Sequence, residues 1–169
     1  MRLPTQILFL SLISLISFPS AAGLSTPEEI MQQLQERGVN SVVAELGERR
    51  DWSRIIHNIS TGDSQWLKVA FKLSPNLHPE FTKQTINALS LALVNNPTEV
   101  LALTSKHRTI SFMDICHIPT TITGLAQKQT FAKNALRSLK TVEKSDLRKN
   151  WDNIENCLWE LEKSSSTYF

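Results

Sequence analysis

Two short stretches of this chain, Thr26-Pro27-Glu28-Glu29 and Asn96-Pro97-Thr98-Glu99, restrict its fold more than any other feature. Each places a side-chain acceptor at a helix N-cap, a proline at the first helical position where no backbone donor is needed, and a glutamate three residues after the cap. The residues that follow are apolar at helical spacing: Ile30, Met31 and Leu34 after the first, Val100, Leu101 and Leu103 after the second. Stop signals alternate with these starts. Gly38 is placed to end the first helix, Asn40 to open a short one through Val42, Val43 and Leu46, and Gly47 to stop it.

The same punctuation continues. Trp52, Ile55, Ile56 and Ile59 share one helical face closed by Gly62. Asp63 caps a helix whose stripe is Trp66, Leu67, Ala70 and Leu73, and Ser74-Pro75 breaks it because the residue before a proline is pushed out of helical geometry. A longer helix is expected from Pro79 to Asn95, burying Phe81, Ile86, Leu89 and Leu93. Residues 104–119 read as a linker with a short helix around Phe112 to Ile118, ended by Pro119. From Thr121 to Val142, Leu125, Ala132, Ala135, Leu136 and Leu139 mark one face. Ser145 is expected to cap a last helix carrying Leu147, Trp151, Ile154, Leu158 and Leu161, followed by a frayed polar tail over 164–169. The only glycines are Gly23, Gly38, Gly47, Gly62 and Gly124, and strand-like alternation is hard to find. The expected class is all-α: an irregular bundle or a short stack of helical hairpins, about six to eight helices.

An internal match supports the hairpin reading. Shifting the chain by about 34 residues, the length of a helix-turn-helix repeat, lays Trp52 on Ile86, Ile55 on Leu89, Ile59 on Leu93, Trp66 on Val100 and Leu67 on Leu101. A further shift lands on the polar Thr120, Thr123 and Gln127, so a true repeat and an ordinary bundle both remain open.

The segment 1–22 is of a different kind. Met1-Arg2 carries one positive charge, the apolar run from Ile7 to Phe18 is too short to span a bilayer, and Ser20 and Ala22 are the small residues of a signal-peptidase site. Cleavage is expected after Ala22, leaving residues 23–163 as a single helical domain in the periplasm. No cysteine follows the apolar run, which argues against a lipoprotein. An oxidising compartment and a total of two cysteines point to a disulfide between Cys116 and Cys157, against an intermolecular bridge or two buried thiols.

Charge excludes little. The leader takes only Arg2 from 18 basic residues, leaving 17 against 16 acidic, a balance that implies neither nucleic acid nor an anionic membrane as partner. Its distribution is uneven, because Lys128, Lys133, Arg137, Lys140, Lys144, Arg148 and Lys149 face only Glu143 and Asp146. Lys133, Arg137 and Lys140 fall on one helix face, either a wet surface or a docking stripe for an acidic protein, lipopolysaccharide phosphates or anionic headgroups.

Chemistry is sparse. There is no nucleophile elbow, phosphate loop or paired-histidine zinc motif, and His57, His78, His107 and His117 are scattered. No catalytic residue, metal ligand or cofactor is expected. Asp114, Cys116 and His117 lie close enough to supply a thiolate and its base only if Cys116 is free.

Gly62-Asp63-Ser64-Gln65-Trp66-Leu67, Leu89 to Leu93 running into Asn96-Pro97-Thr98-Glu99-Val100-Leu101, Cys116 shortly before Pro119, and Cys157-Leu158 together resemble an uncharacterised family of small exported helical proteins of Gram-negative bacteria. The resemblance covers roughly residues 50–160 and implies a periplasmic setting and no particular activity. Three functions follow from the sequence. The preferred one is a protein-interaction module of the periplasm without enzymatic activity, its partner another protein. The others are an immunity-type inhibitor of a periplasm-targeted toxin such as a cell-wall hydrolase, and a thiol-dependent enzyme.

Overall fold

The computed structural model describes residues 24–48, 51–145 and 151–169; the leader and its cleavage site, Leu147, Arg148 and Lys149 lie outside them. Thr26 caps α1 (Pro27–Arg37) by accepting from the Glu29 amide at 3.2 Å, while the Glu29 carboxylate accepts from the amides of Ser25 and Thr26 at 2.9 and 3.1 Å. Those amides, Ser25's first, hold the Glu29 carboxyl below the ordinary glutamate value. Gly38 ends α1 at φ 79°, a conformation open to glycine at no steric cost.

α2 (Val39–Glu48) corrects two expectations. Asn40 does not open the helix; it lies inside the first turn, and its side-chain oxygen accepts from the Asn76 amide. Gly47 does not stop it either, because the helix passes through Gly47 with the Phe81 ring beside the position of its missing Cβ. Glycine terminates a helix where the backbone turns left-handed, and only the surrounding packing decides whether it does.

α3 (Trp52–Ser60) and α4 (Ser64–Leu73) form a hairpin turned at Gly62, φ 80°. Asp63 caps α4, accepting from the amides of Gln65 and Trp66 at 3.0 and 3.1 Å. α5 (Pro79–Ala92) and α6 (Pro97–His107) form a second hairpin. α5 stops three residues short of the expected end, because the amides of Leu93, Val94 and Asn95 each bond three residues back and tighten the chain into a turn. Its buried face is also rotated from the expected one. Thr85, Asn87, Ala88, Leu89, Ser90 and Ala92 are buried, whereas Phe81 and Ile86 lie at the edge. Small and hydroxyl side chains permit that closeness, since Thr85 and Ser90 satisfy themselves on the carbonyls of Phe81 and Ile86.

The two hairpins stack helix on helix, α3 against α5 and α4 against α6. Residues matched by the internal shift therefore share one core: Ile55 and Leu89, Ile59 and Leu93, and Leu67 and Leu101 are all fully buried. The turns are joined as well, because the Asn96 amide donates to the Gly62 carbonyl at 2.9 Å and to Ser64 Oγ at 3.3 Å while its oxygen caps α6. The stacking continues beyond the residue match. α7 (Phe112–Ile115) packs on α5 and α8 (Leu125–Ser145) on α6, and α9 (Trp151–Ser165) covers both. Because α7 is a single turn, the third layer cannot keep the register of the first two and its sequence match fails. At the opposite end α1 and α2 both pack on α4. So enclosed, α4 buries Val69 and Phe71 beyond its expected stripe. Each such side chain contributes about 1.5–3 kcal/mol.

The C-terminal third departs from expectation in four places. α6 extends to His107 and is capped by Arg108 in left-handed geometry, φ 55°. Leu125 begins α8 as an exposed residue, with Phe131 taking a core position instead. Ser145 belongs to the end of α8, and residues 146–150 between it and α9 are outside those described. Nor is the tail frayed: Ser165 is buried, residues 166–168 form a 3-10 turn, and the Tyr168 carbonyl accepts from Gln129 at 2.6 Å. The all-α class is borne out, with nine α-helices and no strand among the described residues. None of these helices is long and apolar enough to cross a membrane.

Candidate functional site

The neighbours Asp114, Cys116 and His117 are sent to three separate tasks. Ser111 caps the one-turn α7, and the Asp114 carboxylate closes the reciprocal half of that cap, accepting from the Ser111 amide at 2.9 Å and its hydroxyl at 2.6 Å. Cys116 is fully buried and disulfide-bonded to Cys157, with the two Cα atoms 5.1 Å apart. The expected pairing is therefore met, and the bond ties α7 to α9. A thiolate nucleophile at Cys116 needs a free sulfur, which this pairing removes.

His117 faces away, into an apolar cleft of about 410 Å³ walled by Leu77, Pro79 and Ile86. Its Nδ1 is buried and makes no hydrogen bond to the protein. Burial pushes the imidazole below its ordinary value, against the opposing pull of the Asp114 carbonyl and carboxylate. Beside it Asn87 fixes the start of the loop after Pro119, accepting from the Thr120 amide at 2.9 Å and donating to the Thr120 hydroxyl at 3.0 Å. No group of three or more metal-ligating side chains occurs among the described residues.

The basic stretch is divided by the fold. Lys128 turns back on the C-terminus, its ammonium 4.6 Å from the centre of the Tyr168 ring. Lys133, Arg137 and Lys140 stay together on the exposed side of α8, as their spacing requires. Lys140 reaches across to Glu162 of α9 at 3.2 Å, an exposed contact worth little. Lys133 and Arg137 have no carboxylate partner among the described residues. The three cations, with Leu136 and Phe169, line an open cleft of about 460 Å³, where Phe169 is 75% exposed. Arg137 also borders a second, more polar cleft of about 470 Å³ beneath the capped start of α6, shared with Asn134 and Ser138. On α9, Glu155 and Glu162 are exposed and Glu160 is half-buried.

Sequence reasoning missed a third cationic feature. Lys68 and Lys72 of α4 face Lys106 of α6 across a cleft of about 320 Å³. The available signal was that Lys72 falls on Lys106 under the same shift that aligns Leu67 with Leu101. Like charges in matching positions say nothing, however, until the hairpins are known to stack.

Comparison with protein-family models, with curated proteins and with solved structures finds no match to this chain.

Proposed function

We propose that this protein is exported, loses its leader after Ala22, and acts in the periplasm as a non-enzymatic binding module for another protein. The observation that carries the reading is the outer face of α8. There Lys133 and Arg137 stand without carboxylate partners among the described residues, beside the exposed Phe169 ring and Leu136. An exposed aromatic ring flanked by cations is the composition of an interface anchor, apolar at the centre and charged at the rim. The buried Cys116–Cys157 pair supports export, since such bonds persist in oxidising compartments.

The test uses the disulfide-bonded protein as bait in periplasmic extract. Wild type should retain a partner that raised salt weakens, as screening of a cationic face requires. The combined Lys133→Glu, Arg137→Glu and Lys140→Glu variant should lose it with helical content intact, and Phe169→Ala should weaken it separately. Retention by both variants would return the α8 face to ordinary solvated surface. Identification of the partner as a cell-wall hydrolase, with inhibition on binding, would make the module an immunity-type inhibitor.

A further inference from the structure

The cleft between α4 and α6 is built on one continuous face of α6, where Glu99, Leu103 and Lys106 follow one another at helical spacing. Lys68 and Lys72, one turn apart on α4, form the opposite wall, and Met31 of α1 closes it. We propose that this cleft binds a small amphiphilic anion, a single carboxylate on a short apolar body, with Lys72 and Lys106 at the head and Leu103 and Met31 against the body.

Charge makes the first argument. Lys72 and Lys106 occupy equivalent positions of two stacked hairpins, so the stacking of α4 on α6, with about 8–10 Å between axes in packings of this kind, brings both lysines to the lining of one cleft. Neither has a carboxylate partner among the described residues, nor does Lys68, a third cation on the α4 wall. An anion between them replaces mutual repulsion with two charge-assisted hydrogen bonds. His107, stacked on Phe71 with ring centres 5.7 Å apart, senses this field: burial first, then Lys72 and Lys106, hold its imidazole below the ordinary value.

The shape of the lining decides the rest. Leu103 is 6% exposed and forms an apolar floor with Met31, while the aliphatic stems of the lysines extend that surface upward. A hydrated inorganic anion gains nothing from such a floor. Glu99 stands in the same cleft and opposes a second negative charge, which disfavours a polyacidic segment. The volume, about 320 Å³, lies at the small end of the range of small-molecule sites. None of the residues lining this cleft belongs to the α8 face, so binding here stands or falls independently of the protein-binding role.

The experiment is a titration of the disulfide-intact protein with octanoate, followed by calorimetry and by the imidazole resonances of His107. Octanoate should bind saturably and raise the pH at which His107 titrates, because its carboxylate offsets Lys72 and Lys106. Acetate, which has the head alone, and octanol, which has the body alone, should each bind at least about tenfold more weakly. The exposed pair Lys72→Gln and Lys106→Gln should cost about tenfold or more in octanoate affinity with unchanged circular dichroism. Lys68→Gln should weaken binding less, and Lys133→Gln with Arg137→Gln should leave it unaltered. Acetate binding as well as octanoate, an affinity unaffected by the Lys72 and Lys106 changes, or capture of a glutamate-rich peptide in place of octanoate would each overturn the proposal.

Discussion

Reducing the Cys116–Cys157 bond should lower stability by about 4 kcal/mol without unfolding the protein at room temperature. The bond spans a sequence separation of 41 residues. The loop-closure relation for a loop of that length gives an entropy of about 13 cal/mol/K, hence roughly 4 kcal/mol. In a domain of this size such a loss corresponds to a fall of about 8–16 °C in Tm. The packing around the bond explains why the fold should survive. Ile110, Ile115 and Ile118 are buried in their own right, Asn87 holds Thr120, and Ile154 and Leu161 keep α9 in the core. Reduction leaves every one of these contacts in place and acts chiefly on the unfolded chain. The assay is urea denaturation followed by circular dichroism, oxidised protein against protein held in reductant, with reduced thiols preferred to alanine variants because they create no cavity. Coincident midpoints would refute the loop-entropy argument. Loss of the helical signal in reductant alone would refute the claim that apolar packing holds residues 110–119.

Asn96→Ala should cost about 2 kcal/mol, roughly one for the helix cap and one for the bridge to the Gly62 carbonyl, with Asn96→Ser recovering only the cap; equal midpoints for the two variants in chemical denaturation would deny the bridge any role. Two glycines should respond with opposite sign: Gly47→Ala should stabilise by up to about 1 kcal/mol, since its Cβ meets only the Phe81 ring at 3.9 Å inside a helix. Gly62→Ala should destabilise by more than about 1 kcal/mol, because its φ is 80° and its Cβ would stand 3.1 Å from Asn95 and Asn96. His107 and His117 both titrate below the ordinary imidazole value in the folded protein. The unfolded chain therefore takes up those protons first, near pH 6.5, and stability should fall as pH drops through about 6.5 and level off below the folded values. His117→Gln should flatten the Tm profile between about pH 7.5 and 5.5, and an unchanged slope would show that its burial carries no linkage.

Local chemistry written in the sequence determined where most helices begin. Thr26, Asp63 and Asn96 cap from side chains a few residues away from the amides they satisfy, so their effect survives any tertiary arrangement. The apolar stripe of α3, the Leu67, Ala70 and Leu73 positions of α4 and the Ile154, Leu158 and Leu161 positions of α9 were legible for the same reason, and a leader-like start with two cysteines was enough to name Cys116 and Cys157. What periodicity could not reach was decided by neighbours. Gly47 is helical and Gly62 is a turn although both are glycine, because one faces the Phe81 ring and the other must pass Asn95 and Asn96. Thr85, Asn87 and Ser90 are buried on α5 because α3, α6 and α7 close over it, which no polarity scale anticipates. Leu125 shares the apolar spacing of α8 yet is exposed at the helix's first position. The cleft between α4 and α6 has the same origin: Lys72 and Lys106 are distant in sequence and face one another only because two hairpins stack. Capping and amphipathic spacing act within one helical turn, whereas burial and charge convergence are properties of pairs of helices, and the chain specifies those pairs only through the packing of its whole core.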